Sequence, residues 1–125
     1  MPHKVEPDRA RGLVLARLEG PATREEVIDM VKAARALAHD RGWNILYDMR
    51  GATVAGISAG DIFWLPRRLD VLNEPEASSV RVAALHDPGE GASLARFWEN
   101  AFRNAGLQAC AFTDEAEALA WLSAE

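Results

Sequence analysis

Three short runs, "WNILYDM" (43–49), "SVRVAALH" (79–86) and "QACAF" (108–112), are almost wholly apolar. A strand with one wet face alternates apolar and polar residues; a strand covered on both faces reads as an unbroken apolar run. Each run is therefore expected to be an inner strand, sandwiched between helices. Doubly covered strands are the strands of parallel sheets, and successive parallel strands need a long crossover between them. The segments separating these runs have the right length and the helical period to supply it.

The clearest helix is "ATREEVIDMVKAARALAHDRG" (22–42). Thr23 and Glu26 are spaced as a capping box, in which each side chain satisfies a backbone N–H that the first helical turn leaves free. Val27, Val31, Ala34 and Ala38 recur on one face, widened by Ile28, Met30 and Leu37. Gly42 stands where a left-handed residue would end the helix. In "GASLARFWENAFRNAG" (91–106), Leu94, Phe97, Trp98, Ala101, Phe102 and Ala105 keep helical spacing up to Gly106. The last helix, "TDEAEALAWLSAE", can be capped by Thr113, with Asp114 and Glu115 favourable at its positive start. Its Leu119 and Leu122 are expected to face the core, flanked by Ala118 and Trp121. Ahead of all this, "GLVLARLEG" (12–20) reads as a strand with Leu13, Leu15 and Arg17 on one face and Val14, Ala16 and Leu18 on the other. "HKVE" can pair with it as a hairpin across "PDRARG".

The order predicts a single α/β domain over residues 1–125, with a mostly parallel central sheet of four to five strands and about four crossover helices. Residues 1–11 form an N-terminal segment able to supply an edge strand. The chain's 125 residues are enough to bury a core without staples, and its one cysteine, Cys110, rules out an internal disulfide. Ligands of such sheets favour the loops beyond the carboxyl ends of the strands, here 48–60 and 86–93.

Several function classes find no support. His3, His39 and His86 lack metal-ligand spacing with one another or with acidic residues. No G-x-S-x-G elbow occurs, nothing in the spacing of Asp48, His86 and Ser93 demands a triad, and Cys110 sits in an apolar run where a thiol behaves as a small hydrophobe. "HDPGEGAS" (86–93) matches neither the dinucleotide fingerprint nor the P-loop. A phosphate-accepting receiver needs more acids near Asp48 and a late lysine, yet no lysine follows Lys32. The expectation is a protein that is not an enzyme and uses no cofactor. A net charge of −5 argues against a nucleic-acid groove. No run approaches the ~20 apolar residues of a membrane span. The polar start and single cysteine suggest the cytoplasm.

The stretch "YDMRGATVAGISAGDIFWLPRRL" (47–69) is where function concentrates. An inner strand ends in Asp48, small residues follow, and Ser58 with Asp61 forms an S-x-x-D capping box ahead of a helix. Pro66 cannot donate within a helix, so the helix is expected to stop, restart or kink near residue 65. Ile62 to Leu65 are four consecutive bulky apolar residues that cannot all point inward, so Phe63 or Trp64 should reach the rim beside Arg67 and Arg68.

This stretch resembles the STAS domains, where an inner strand ends in a pattern like D-L-S-G-V-T-F-M-D-S-S-G-L. In "DMRGATVAGISAG", Asp48, Gly51 and Thr53 match, Val54 and Ala55 keep the apolar character, and Ser58 falls at the serine phosphorylated in that family. Gly56, Ile57 and Ala59 depart from it. The later "VRVAALHD", "LARFWENAF" and "ACAFTDEAEALAWL" resemble the SpoIIAA-like, or STAS/SEC14-like, branch, and the likeness runs from residue 12 onward. It implies a non-catalytic regulatory module that docks on a protein partner, itself as a homodimer or another regulator, through the 48–72 loop and helix. Ser58 and Asp61 are then the cap and candidate switch, and Tyr47, Asp48, Phe63, Trp64, Arg67, Arg68 and Trp98 the candidate contacts. The alternative is a small apolar or amphipathic, lipid-like ligand between the 60–72 helix and the sheet, lined by Tyr47, Phe63, Trp64 and Trp98, with Arg67 or Arg68 holding an acidic head.

Overall fold

The computed structural model describes residues 3–54, 58–89 and 92–124, without the side chains at 54, 59, 63, 64, 67, 68, 71, 73 and 76. The elements run β1 (His3–Asp8), β2 (Leu13–Leu18), β3 (Gly20–Ala22), α1 (Arg24–Arg41), β4 (Asn44–Asp48), β5 (Ala52–Val54), α2 (Ala59–Arg68), two 3₁₀ turns (Asp70–Asn73 and Pro75–Ser79), β6 (Arg81–Leu85), α3 (Ala92–Asn104), β7 (Gln108–Phe112) and α4 (Glu115–Ser123). The main sheet has five strands in the order β1-β2-β4-β6-β7. The hairpin β1–β2 is antiparallel, and every other neighbour in that sheet is parallel. β4 lies at the centre, as its unbroken apolar run requires.

Alternation along the strands sorts side chains to two faces. Val14, Ala16, Leu18, Ile45, Tyr47, Val82 and Ala109 pack with the inner stripe of α1, with Leu65 and Leu69 from α2 and its end, and with Phe102 of α3. Leu13, Leu46, Ala83 and Leu85 point the other way, onto Ala118 and Leu122 of α4. Three helices thus cross between parallel strands and cover one face, while α4 follows the last strand and covers the other. Each fully buried aliphatic side chain contributes about 1.5–3 kcal/mol, so these two layers clamp the sheet between them.

Local chemistry places the helix ends. Thr23 Oγ1 accepts from the Glu26 N–H at 3.2 Å, and the Glu26 carboxylate accepts from the Thr23 N–H at 2.9 Å. Gly42 ends α1 at φ 69°, a left-handed geometry that penalises any residue with a Cβ. The start of α4 differs from expectation: Asp114, not Thr113, is the cap, its carboxylate accepting from the Ala116 N–H at 2.9 Å. A charged acceptor at the positive helix end outcompetes a hydroxyl one residue earlier. On α4 the deepest residues are Ala118 and Leu122, with Leu119 and Trp121 partly covered.

Three further expectations need correction. β7 is covered above and below but lies at the sheet margin, paired among the described residues only with β6. Its apolar run records its two covered faces and carries no information about a lateral neighbour. The segment 48–60, expected as a loop, contains β5, which pairs with β3 in a second, two-stranded parallel sheet. Three-residue strands leave no period to detect. Finally, of the stop, restart or kink expected near residue 65, the stop and the restart are absent: Pro66 is inside α2, and the helix runs to Arg68. The missing N–H removes one backbone bond in the last full turn, and the buried Leu65, Pro66 and Leu69 keep that turn packed.

Candidate functional site

Asp48 closes β4 at the carboxyl edge of the sheet, its side chain on the face covered by α4, and it is 5% exposed. Arg50, two residues on, turns back and grips both carboxylate oxygens, Nε on Oδ1 at 2.9 Å and Nη2 on Oδ2 at 2.9 Å. The Arg50 N–H adds a bond to Oδ1 at 3.2 Å, and Arg17 from β2 approaches Oδ2 at 3.4 Å. The hydrogen bonds from Arg50 hold the Asp48 carboxyl below the usual carboxylate range, against the opposing effect of burial. The same contact pushes the Arg50 guanidinium pKa higher still. Arg50 Nη2 also reaches Glu115 in the first turn of α4, at 3.0 Å. Asp48 is therefore a saturated structural anion that ties the strand end to α4.

The two carboxyl-end loops meet here. The Gly51 N–H donates to Asp87 Oδ2 at 2.8 Å, and the Gly51 carbonyl accepts from the Gly20 N–H at 3.1 Å. Gly51 makes both bonds at φ 78°, where a side chain would be strained. Neither Asp87 nor Gly20 could be tied to Gly51 from sequence, since both contacts are remote along the chain.

The start of α2 forms the exposed part of this rim. Ser58 Oγ accepts from the Asp61 N–H at 3.2 Å, and Asp61 Oδ2 accepts from the Ser58 N–H at 3.0 Å. Both halves of the expected capping box are present. Bonding to the Ser58 backbone N–H holds the Asp61 carboxyl below its ordinary range. Sequence reasoning missed Arg24: its Nη1 lies 3.4 Å from Asp61 Oδ1, fastening the start of α1 to the start of α2. Ala55, Gly56 and Ile57 lie outside the described residues, as do the side chains of Phe63, Trp64, Arg67 and Arg68. Of the four bulky residues 62–65, Ile62 and Leu65 are buried.

Tyr47 and Trp98 sit elsewhere. Tyr47 points to the opposite face from Asp48, into the main core, and is 6% exposed. There it faces the guanidinium of Arg35, and burial raises its pKa to about 12. Arg35, 1% exposed, was not singled out from sequence. Its position four residues beyond Val31, on the inward stripe of α1, was the available signal. Trp98 is half-buried on α3, with its ring centroid 5.4 Å from that of Phe102. Asp48 thus joins the 48–61 rim, while Tyr47 and Trp98 belong to the interior. Among the described residues no His, Cys, Asp and Glu cluster has metal-binding geometry, and no helix is long and apolar enough to cross a membrane.

No family model matches the chain, and no curated protein matches it. Solved structures do. An uncharacterised protein from Shewanella loihica, of the DUF3478 family and with a SpoIIAA-like fold, is 16% identical, with 96% of this chain and 91% of that one covered at a TM-score of 0.59. The anti-sigma factor antagonist SpoIIAA in its unphosphorylated form is 17% identical, with 98% of this chain and 99% of that one covered at a TM-score of 0.56. Near-complete coverage in both directions leaves no large insertion to explain on either side. The chain has a SpoIIAA-like fold, a single α/β domain on a mostly parallel five-stranded sheet.

Proposed function

We propose that this protein is a non-catalytic regulatory module that docks onto a protein partner through the 48–72 loop and helix. The observation that carries the reading is the exposed start of α2. Ser58 and Asp61 cap each other reciprocally, and Arg24 pins that cap to α1. A helix end fixed on both sides presents the same surface before and after binding, so little ordering entropy is lost on docking. One of the matched folds is that of an anti-sigma factor antagonist, which supports a role in protein regulation. Asp48, held by two arginines, belongs to the scaffold behind the surface and does no chemistry.

Ser58 is the switch residue of this reading. A phosphoryl group there would add about two negative charges beside Asp61. The helix dipole favours that charge while the Asp61 carboxylate opposes it, so the reciprocal cap would have to open. The partner is a second copy of this chain or another regulator. Light scattering of the wild type against Trp64→Ala with Arg67→Ala tests the homotypic form. A wild-type dimer reduced to monomer, with an unchanged far-UV spectrum, supports it; a mass that the substitutions leave unchanged overturns it.

A further inference from the structure

The two margins of the main sheet are finished differently. At β7, Glu99 and Arg103 of α3 bond to the outward backbone groups of Ala111 and Ala109. At the other margin, β1 pairs with β2 alone. Among the described residues, no hydrogen bond from outside that hairpin reaches the backbone of His3, Val5 or Pro7.

Pro7 opposes Val14 and has no N–H to give it, so it stands where the backbone of the strand turns away from β2. Backbone direction alternates along a strand, so His3 and Val5 also aim their N–H and carbonyl groups outward. The same alternation follows from the Met49 N–H bond to the Leu85 carbonyl, carried through the registers of β4 and β2. Lys4 and Glu6 project from the opposite sheet face to Val5, with side chains 74% and 48% exposed. Val5 itself packs against the main core.

Lysine and proline on an open edge commonly guard it against foreign strands. Here the guard fits its own copy. When two β1 strands lie antiparallel about Val5, the two Val5 residues exchange both backbone bonds. The His3 N–H of each copy meets the Pro7 carbonyl of the other, and Lys4 of each stands opposite Glu6 of the other. Opposite charges across an antiparallel pair are stabilising, and like charges are destabilising. Sliding the register to centre on Lys4 or on Glu6 sets that residue against its own copy, so the charges accept the Val5-centred pairing and reject its neighbours.

We propose that β1 is a self-recognition edge, pairing antiparallel with β1 of a second copy about Val5 and joining the two sheets into one. One short strand buries little surface, so the pair is a concentration-dependent equilibrium. The edge is separate from the 48–72 rim, which each copy keeps open for another regulator.

Sedimentation equilibrium of the full chain over a range of concentrations tests this. The wild type should dimerise. Lys4→Glu and Glu6→Lys should each weaken self-association by about tenfold or more, since each sets like charges opposite one another at both ends of the pair. An equimolar mixture of the two variants should recover the dimer, and so should the double variant Lys4→Glu with Glu6→Lys, which exchanges the charges without losing their match. Trp64→Ala with Arg67→Ala should leave this dimer intact. A wild type monomeric at every concentration, single variants that associate like the wild type, or a mixture and a double variant that both stay monomeric overturns the proposal. A monomeric Trp64→Ala with Arg67→Ala variant overturns it too, by placing self-association on the rim.

Discussion

Glu99 on α3 accepts a hydrogen bond from the backbone N–H of Ala111 on β7 at 2.7 Å. Arg103, one turn later, donates to the Ala109 carbonyl at 2.7 Å and lies 3.7 Å from Glu99. The Phe112 carbonyl accepts from the His86 N–H on the β6 side, so the groups at 109 and 111 point away from the sheet. An exposed edge strand is a template for another chain. Here a charged clip from the neighbouring helix satisfies the edge and occupies the space a further strand would need. Cys110 is half-buried beside the same clip, and burial, with the Glu99 carboxylate, pushes its thiol pKa up.

Glu99→Ala with Arg103→Ala should uncover that edge. The expected outcome is a loss of about 1–2 kcal/mol in urea unfolding, from the two strand groups left without partners, and a larger mass than the wild type by light scattering at equal concentration. A double variant with wild-type mass and solubility would show that the clip does not guard the edge.

Asp48→Asn removes the buried charge that two half-exposed arginines contact. A loss of about 1–2 kcal/mol is expected from the broken charge-assisted hydrogen bonds, moderated because Arg50 and Arg17 reach solvent and Arg50 keeps Glu115. Adding Arg50→Gln should cost less than the sum of the single changes, a coupling read from a double-mutant cycle. The folded carboxyl sits below its ordinary pKa, so this stabilisation is complete above the unfolded value near 4 and is lost as pH falls through the folded value. Acid unfolding of Asp48→Asn should accordingly be shallower below about pH 4 than that of the wild type.

Ser58→Ala deletes one arm of the α2 capping box. About 1 kcal/mol of stability should be lost, and Ser58→Thr should restore most of it, since the hydroxyl acceptor returns. Equal stability of Ser58→Ala and wild type in chemical denaturation would mean that Asp61 alone holds the helix start.

Tyr47 is the only tyrosine, so its ionisation can be followed directly by the tyrosinate absorbance. In the folded chain it should titrate near 12. The unfolded phenol ionises near 10, so the folded state keeps a proton that the unfolded state has lost. Stability should therefore fall by about 1.4 kcal/mol per pH unit between these values, and Tyr47→Phe should remove that slope. A wild-type titration near 10 without unfolding would place the hydroxyl in solvent instead.

The amino-acid sequence by itself determined the layer order of this protein. Unbroken apolar runs identify strands covered on both faces, capping boxes at Thr23 and Ser58 mark two helix starts, and Gly42 marks a helix end, because each signal depends on residues a few positions apart. Tertiary structure alone decided which strand became the margin, how β3 found β5, why Arg50 and Arg17 converge on Asp48, and that Arg35 faces Tyr47 in the core. Those relationships join residues far apart along the chain, and an apolar or charged side chain carries the same local pattern whichever distant partner it meets. The long-range packing of α1 and α4 on opposite faces of one sheet chose the partners.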